Sequence, residues 1–136
     1  MIVADASIIA KLVLREEGWE KVAELLARED AVTVDHALKE VLNAIWKAYR
    51  LRHLITRDEA EEKRAALERL AGRVVEVEPE ERYLPEAFRI ALDTGITVYD
   101  ALYIAQARAK KAKLATSDAK QARIASSLGI DAILIL

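Results

Sequence analysis

The chain has 136 residues, of which 53% are hydrophobic and 32% charged, with only two prolines and four glycines. This composition is typical of a helix-rich globular protein and excludes a disordered chain, so we expect one domain over residues 1–136. Basic and acidic residues nearly balance, which gives no overall sign of nucleic-acid binding, and the absence of cysteine excludes disulfides and thiolate metal sites.

The first apolar run, residues 2–14, is interrupted by Asp5, Ser7 and Lys11. It has no basic start and no small-residue cleavage site, so it is not a signal peptide. No apolar stretch approaches the roughly 20 residues that a membrane-spanning helix needs. We therefore expect a soluble, cytoplasmic protein that does not associate with membranes.

Short apolar runs alternate with amphipathic segments along the whole chain. Strands are predicted at residues 1–4, 31–34, 74–77, 114–115 and 133–136. Helices are predicted from Ser7 to about residue 14, at 19–28, from 36 to about 52, at 57–70 and 80–93, from Thr97 onward, and at 119–128. Asp35 and Thr56 are expected to cap the helices that follow them. This alternation predicts an α/β/α sandwich with a parallel sheet of five strands.

An acid lies at the start of the most apolar of these helices, in residues 97–105. Leu102, Ala105 and Ala109 recur at spacings of three and four, so this helix is expected to pack inward. Asp100 lies in its first turn, on the same side. The plain alternative is a helix cap or a partner of the helix dipole, which contributes about 0.3–1 kcal/mol.

Three further acids, Asp5, Glu40 and Asp118, are placed where a parallel sheet would bring them to the same crevice. Ligands bind at the carboxyl ends of the strands in such sheets, and Asp5 and Asp118 each follow a strand. If those two strands are neighbours, their carboxylates face each other. Asp100 opens the helix that leads into the second strand, and Glu40 lies about one turn into its own helix. We call these four residues the acidic quartet.

Carboxylates this close repel one another strongly. At roughly 4 Å and an effective dielectric near 20, each pair costs about 4 kcal/mol. A hard divalent cation, Mg²⁺ or Mn²⁺, is the expected neutralising species, because the chain has no cysteine and only two histidines. Such an ion can hold a phosphodiester and activate a water molecule, so the expected chemistry is phosphodiester hydrolysis.

Each of these acids also has an ordinary structural explanation. Asp5 could be a solvated strand end, Glu40 an exposed helix charge paired with Lys39 or Lys47, and Asp118 a helix cap. We favour a functional role for each, because Asp5 separates an apolar strand from an apolar helix and Asn43 follows Glu40 on the same helix face.

Two other acids and one charged segment are expected to be structural. Asp93 is interpreted as a charge on the solvent side of its helix, and Asp35 as a cap only. The charged segment 57–69 is expected to form a solvated face.

Four segments together resemble PIN-domain nucleases, namely residues 2–7 (IVADAS), 40–44 (EVLNA), 97–105 (TVYDALYIA) and 116–118 (TSD). The set is most similar to the VapC-type toxins of prokaryotic toxin–antitoxin pairs, and the resemblance covers essentially the whole chain. It implies a metal-dependent endoribonuclease that acts on RNA, forms a homodimer, has the strand order 3-2-1-4-5 and pairs with a separately encoded antitoxin.

The resemblance also implies roles for individual residues. Asp5, Glu40, Asp100 and Asp118 would be the catalytic acids and the ligands of Mg²⁺ or Mn²⁺, directly or through water. Ser7, Asn43 and Thr116 would be polar supports. Residues 117–121 lack the doubly basic run often found after the fourth acid, so RNA contacts are not assigned there. Trp46, Tyr49 and Leu54 are expected in the core or on covered surface, with a dimer or antitoxin face as the alternative.

Three other α/β classes fit the residues less well. A phospho-receiver domain needs an Asp after the third strand, where this chain has Glu76-Val77-Glu78-Pro79. A haloacid-dehalogenase-like phosphatase needs a second Asp at the position of Ser7, and a nucleotide-binding module needs a glycine-rich loop that this chain lacks. The alternative that stays open is a PIN-like dimer that binds RNA or protein without cleaving it.

Overall fold

The computed structural model describes residues 1–136, which form a parallel sheet of five strands between two layers of helices. The strands are β1 (Ile2–Ala4), β2 (Ala31–Val34), β3 (Val75–Glu78), β4 (Lys113–Thr116) and β5 (Ala132–Leu134). Their order is β3-β2-β1-β4-β5, and Val3 lies opposite both Val32 and Leu114. The predicted sandwich and strand order are confirmed, and β1 is the neighbour of β4.

Seven α-helices connect the strands. They are α1 (Ala6–Leu14), α2 (Trp19–Arg28), α3 (His36–Arg50), α4 (Arg57–Leu70), α5 (Leu84–Thr94), α6 (Val98–Lys110) and α7 (Ala119–Ser127). Helices α1 to α4 pack on one another, while α5 packs on α6, which lies against β1, β2 and β4. This division follows from right-handed crossovers. The connections from β1 to β2 and from β2 to β3 place their helices on one face of the sheet, and the return to β4 and β5 places the later helices on the other face. None of the helices has the length and apolar character needed to cross a membrane.

Helix α6 is the central helix of the fold. Residues 101–107 are buried without interruption, and they include a tyrosine and a glutamine, Tyr103 and Gln106. Leu102 and Ala105 are buried as predicted, but Ala109 is exposed. The last turn of α6 lies at the surface, where its neighbour Arg108 is also exposed.

The segment predicted as one helix over residues 80–93 is divided in two. A 3₁₀ turn, Glu80–Tyr83, precedes α5, which has Pro85 in its first turn. A continuous helix would need the N–H of Pro85 to donate a hydrogen bond to the preceding turn, and proline has no N–H.

Helix caps follow the prediction in one case and differ in the other. Thr56 caps α4 in a capping box with Glu59, and Leu67 is the only buried residue of that helix, so the solvated face is confirmed. Asp35 precedes α3 but does not cap it. Its Oδ1 instead accepts a hydrogen bond from the backbone N–H of Glu80, 3.1 Å away, because the end of β2 lies beside the end of β3.

Two of the three residues expected in the core or on covered surface lie on the open surface instead. Trp46 and Leu54 are exposed, whereas Tyr49 is half-buried. The buried side of α3 is set by Val41 and Ile45, which are four residues apart, and Trp46 points away from that side.

Candidate active site

Asp5 and Asp118 lie at the carboxyl ends of neighbouring strands, β1 and β4. Asp5 is only 3% exposed, so it is not a solvated strand end. Its Oδ1 accepts hydrogen bonds from Ser7 Oγ at 2.5 Å and from the N–H of Ile8 at 3.1 Å, at the start of α1. Asp118 is exposed, and its Oδ1 caps α7 by accepting from the N–H of Lys120 at 2.9 Å. In each case the hydrogen bonds from the protein go to one carboxylate oxygen.

Two hydroxyl groups connect the loops that carry these acids. Ser7 Oγ accepts a hydrogen bond from the N–H of Ser117 at 2.9 Å and lies 3.5 Å from Thr116 Oγ1. Thr116 Oγ1 accepts from the N–H of Asp118 at 3.0 Å. Ser7 and Thr116 therefore hold the loop after β1 against the loop after β4.

Glu40 approaches the site from α3. Its Oε1 accepts a hydrogen bond from the Tyr103 hydroxyl at 2.6 Å, and His36 Nε2 lies 3.2 Å from the same oxygen. Glu40 pairs with neither nearby lysine, since Lys39 faces Glu80 and Lys47 forms no ion pair.

The polar side chain that follows Glu40 on the same helix face stays outside this network. Asn43 is exposed and borders a surface groove beside Glu40. Of the three predicted polar supports, Ser7 and Thr116 form hydrogen bonds with Asp5 or with the loop that carries Asp118, whereas the Asn43 side chain forms no hydrogen bond with the quartet.

Asp100 lies in the first turn of α6 and is half-buried. The cap of this helix is Thr97, whose Oγ1 accepts from the N–H of Asp100 at 3.1 Å, so the capping explanation for Asp100 is wrong. The main-chain carbonyl of Asp100 accepts from Gln121 Nε2 at 3.1 Å, which ties α6 to α7. Asp93 is exposed near the end of α5, on the solvent side as predicted.

The charges of the quartet act on one another. Burial raises the pKa of Asp5 to about 6, hydrogen bonds from Ser7 and Ile8 limit this rise, and the negative charge of Glu40 adds to it. Burial and the charge of Asp118 raise the pKa of Asp100. No lysine or arginine forms an ion pair with any member of the quartet.

A second buried acid shows the opposite arrangement. Glu78, at the end of β3, accepts hydrogen bonds from Tyr83 and Gln106 and lies 2.7 Å from Lys110 Nζ and 3.0 Å from Arg82 Nη1. Burial alone would raise its pKa, but the bonds from Lys110, Tyr83 and Gln106 hold the pKa at about 2. Glu78 thus forms ion pairs with two cations of its own chain, whereas no lysine or arginine forms an ion pair with the quartet, and Lys120 only lowers the pKa of Asp100 without such a contact.

The donor set at the strand ends fits a hard divalent cation. Its atoms are carboxylate and hydroxyl oxygens, which suit Mg²⁺ or Mn²⁺ better than softer metals. No three acidic or histidine side chains lie close enough together to hold an ion by themselves. Because Mg²⁺ usually keeps several of its water molecules, these residues would hold it partly through water.

Two residues at this site were not recognised from the sequence. In the sequence, Tyr103 belongs to the apolar helical segment 97–105, and His36 is one of only two histidines. Their spacing places His36 on the helix face of Glu40, four residues earlier, and Tyr103 on that of Asp100, three residues later, but spacing alone does not show that either side chain contacts Glu40.

A groove of about 470 Å³ runs beside Glu40, between α1, α3 and the loop before α4. Leu14, Leu54 and Ile55 contribute its apolar lining, and Lys47 and Arg52 form no ion pair at its edge. Half of its ten lining residues are hydrophobic, and the charged ones are two bases, Lys47 and Arg52, and two acids, Glu16 and Glu40.

Known proteins share this sequence pattern and this fold. The family model described as PIN domain matches residues 2–127. Ribonuclease VapC3 from Pyrobaculum aerophilum is 38% identical over 120 residues, which are 86% of this chain and 88% of that protein. Among solved structures, Mycobacterium tuberculosis VapC20, a Sarcin-Ricin loop cleaving toxin, has a TM-score of 0.68 at 21% identity. The alignment covers 96% of this chain and 96% of that one. VapBC2 from Rickettsia felis, bound to a DNA fragment from their promoter, has a TM-score of 0.68 at 17% identity and covers 100% of each chain.

Proposed function

The chain belongs to the PIN-domain family, and from this we propose that it is a metal-dependent endoribonuclease, a hydrolase of RNA phosphodiester bonds. We further assign it as the toxin of a prokaryotic toxin–antitoxin pair that acts in the cytoplasm. The observation that carries the proposal is the carboxylate of Asp5, buried beside the β1–β4 boundary with no cation from its own chain. The 38% identity to a protein named as a ribonuclease supports the choice of RNA as substrate.

The acidic quartet would hold Mg²⁺ or Mn²⁺, directly or through water. When bound, such an ion supplies charge for the scissile phosphate and an activated water for in-line attack. The protein's own contribution is to hold the ligands in place beforehand. Ser7 and the N–H of Ile8 fix one oxygen of Asp5, and the α7 cap fixes one oxygen of Asp118. Asn43, exposed one turn from Glu40, would offer its amide to the RNA.

A cognate antitoxin would occupy the groove beside Glu40. The apolar lining and the unpaired Lys47 and Arg52 suit a peptide segment that carries both apolar and acidic side chains. Such a segment would lie next to Glu40 and so restrict access of RNA to the quartet. Solved structures with this fold include a toxin–antitoxin complex from Klebsiella pneumoniae, which supports an antitoxin as partner.

A second copy of the chain would cover the exposed side of α5. Leu84, Phe88 and Leu92 are spaced four residues apart on this helix, and all three are exposed. A continuous apolar row of this kind on a folded surface indicates a contact with another protein. Its spacing along one side of α5 suits a symmetric contact between two copies of this helix.

The proposal is tested by incubating the purified protein with a panel of structured RNAs in Mn²⁺, Mg²⁺ or EDTA. We expect cleavage only with metal. Asp100→Asn should reduce cleavage by orders of magnitude, because it removes a charge while Thr97 still caps α6. The matched control is Asp93→Asn, an exposed acid seven residues earlier, which should leave cleavage nearly unchanged.

Two outcomes would contradict this assignment. Equal activity in Asp100→Asn and Asp93→Asn would remove Asp100 from the site. RNA binding by the wild-type protein without any cleaved product, in either metal, would favour the non-catalytic RNA-binding dimer instead.

A further inference from the structure

Glu40 differs from the rest of the quartet in how its carboxylate is held. Asp5 and Asp118 accept hydrogen bonds from backbone N–H groups at helix starts, and Asp100 has a short side chain on a capped helix turn. Glu40 accepts no hydrogen bond from the backbone, and its side chain is 34% exposed. A long side chain without restraints would lose rotamer freedom on binding an ion, which weakens binding.

The restraints on Glu40 come from two other side chains. The Tyr103 hydroxyl donates to Oε1 at 2.6 Å, and Tyr103 is only 1% exposed, so the core fixes its position. His36 Nε2 lies 3.2 Å from the same oxygen, and its ring stacks on Tyr99 with centroids 5.1 Å apart. Both groups act on Oε1, so Oε2 has no partner among the side chains of the protein.

The chemistry of Tyr103 suits a permanent donor. A tyrosine hydroxyl carries its proton at neutral pH, and a carboxylate can only accept, so in this contact Tyr103 is the donor. Tyr103 also lies one turn after Asp100 on α6, so the bond to Glu40 links the acid on α3 to the acid on α6.

We propose that Tyr103 is the positioning residue for Glu40, supported by His36, and that it presents Oε2 of Glu40 to the ion before the ion arrives. This inference rests on the proposed function, because it requires Glu40 to serve a metal site. Groups that orient the ligands of a metal typically change metal affinity by about 10- to 100-fold when they are removed.

The fold provides a matched control for this hydrogen bond. The Tyr83 hydroxyl also donates to Oε1 of a glutamate, Glu78, over the same 2.6 Å, but outside the proposed site. We therefore compare Tyr103→Phe with Tyr83→Phe in the full chain, measuring Mn²⁺ affinity by calorimetry and the melting midpoint without metal.

Tyr103→Phe should weaken Mn²⁺ binding by about 10- to 100-fold while its metal-free melting midpoint stays near that of the wild type. Tyr83→Phe should leave Mn²⁺ affinity unchanged. Cleavage of RNA by Tyr103→Phe should be reduced at low Mn²⁺ and restored at high Mn²⁺, because the hydroxyl acts through occupancy of the site. His36→Gln should weaken Mn²⁺ binding in the same direction by a smaller factor.

A double-mutant cycle separates the positioning role from a general effect. In the Glu40→Gln background, Tyr103→Phe should cause no further loss of Mn²⁺ affinity; a further loss equal to that in the wild-type background would overturn the inference. If Tyr103→Phe does not fold, an unchanged Mn²⁺ affinity in His36→Gln overturns it instead.

The two proposals fail in different ways. If the wild type binds Mn²⁺ and cleaves RNA, and Glu40→Gln loses both, a wild-type affinity in Tyr103→Phe rejects the positioning role alone. If the wild type neither binds Mn²⁺ nor cleaves RNA, the proposed function is rejected, and the positioning role with it.

Discussion

Asp5 and Glu78 are both buried carboxylates, yet their pKa values are shifted in opposite directions. Burial raises the pKa of Asp5 to about 6, since no cation of the chain lies beside it. Burial acts on Glu78 as well, but Lys110 and two neutral donors outweigh it and hold its pKa at about 2. Without an external cation, Asp5 therefore opposes folding at neutral pH, whereas Glu78 supports it. A residue kept at a cost to stability is what a binding site requires.

The pH dependence of stability should reveal this cost. Because the pKa of Asp5 lies at about 6 in the folded state and near 3.8 when unfolded, the folded state binds more protons in this window, and stability falls as pH rises through it. The shift corresponds to about 3 kcal/mol. Asp5→Asn should abolish this fall, so its advantage over the wild type, from metal-free denaturant titrations, should grow from pH 4 to pH 6. Parallel curves for the two proteins would contradict the assignment.

Metal should act on the same residue. An ion present at 100 times its dissociation constant stabilises the folded state by about 2.7 kcal/mol, which should raise the melting midpoint by several degrees. We expect this for the wild type in Mn²⁺ and not for Asp5→Asn. The stabilisation should weaken below about pH 6, because protons then compete for Asp5. A wild-type midpoint that does not respond to saturating Mn²⁺ would count against the site.

At the scale of elements, α6 carries a row of polar side chains through an otherwise apolar core. Asp100, Tyr103 and Gln106 are spaced three residues apart, so they lie along one side of the helix. Tyr103 reaches Glu40, and Gln106 Nε2 donates to Glu78 and to the carbonyl of Thr33, both at 2.9 Å. The first turn of this row serves the proposed site, and the later turn serves the structure.

This division within α6 predicts different effects for neighbouring polar residues. Gln106→Met keeps the volume but removes two buried hydrogen bonds, so we expect a loss of about 1–3 kcal/mol in the free energy of unfolding. Mn²⁺ affinity should stay at the wild-type value. The measurements are denaturant unfolding and calorimetry on the same preparation. Normal stability with impaired Mn²⁺ binding would place Gln106 in the site and refute the division.

At the scale of the whole molecule, one row of exposed apolar residues lies on α5, which packs on α6. The row on α5 includes Phe88 and Leu92, which are 55% and 68% exposed. Because α5 packs on α6, a copy of the chain bound to this row would lie one helix away from Asp100 and Tyr103. Dimer formation would then support the helix that carries part of the site.

The oligomeric state can be tested by changing this row. Phe88→Glu should convert a dimer into a folded monomer, because a charge in a buried apolar contact is costly while the same charge on the free surface is not. The control is Val74→Glu, which changes another exposed apolar residue, just before β3 rather than on α5, and this variant should remain dimeric. Sedimentation velocity gives the mass of each species. A monomeric wild type, or a dimeric Phe88→Glu, would rule out this interface.

The sequence by itself determined the local features of this protein. Hydrophobic periodicity defined the strands and helices to within a few residues, and the Thr56 cap and the positions of Asp5 and Asp118 after strands were readable, because each depends on neighbours within a few residues. The strand order came from the family resemblance, because the alternation of strands and helices shows that the strands share a carboxyl edge but not which strands are neighbours along it.

The tertiary structure alone decided which side chains hold the acids. Tyr103 contacts Glu40 across 63 residues of sequence, and Gln106 contacts Thr33 across 73. Such contacts leave no periodic signal in the sequence, because the partners belong to different elements and meet only when α6 packs between them. For the same reason a buried tyrosine or an i,i+4 histidine looks structural in the sequence, and its relation to Glu40 depends on the packed fold.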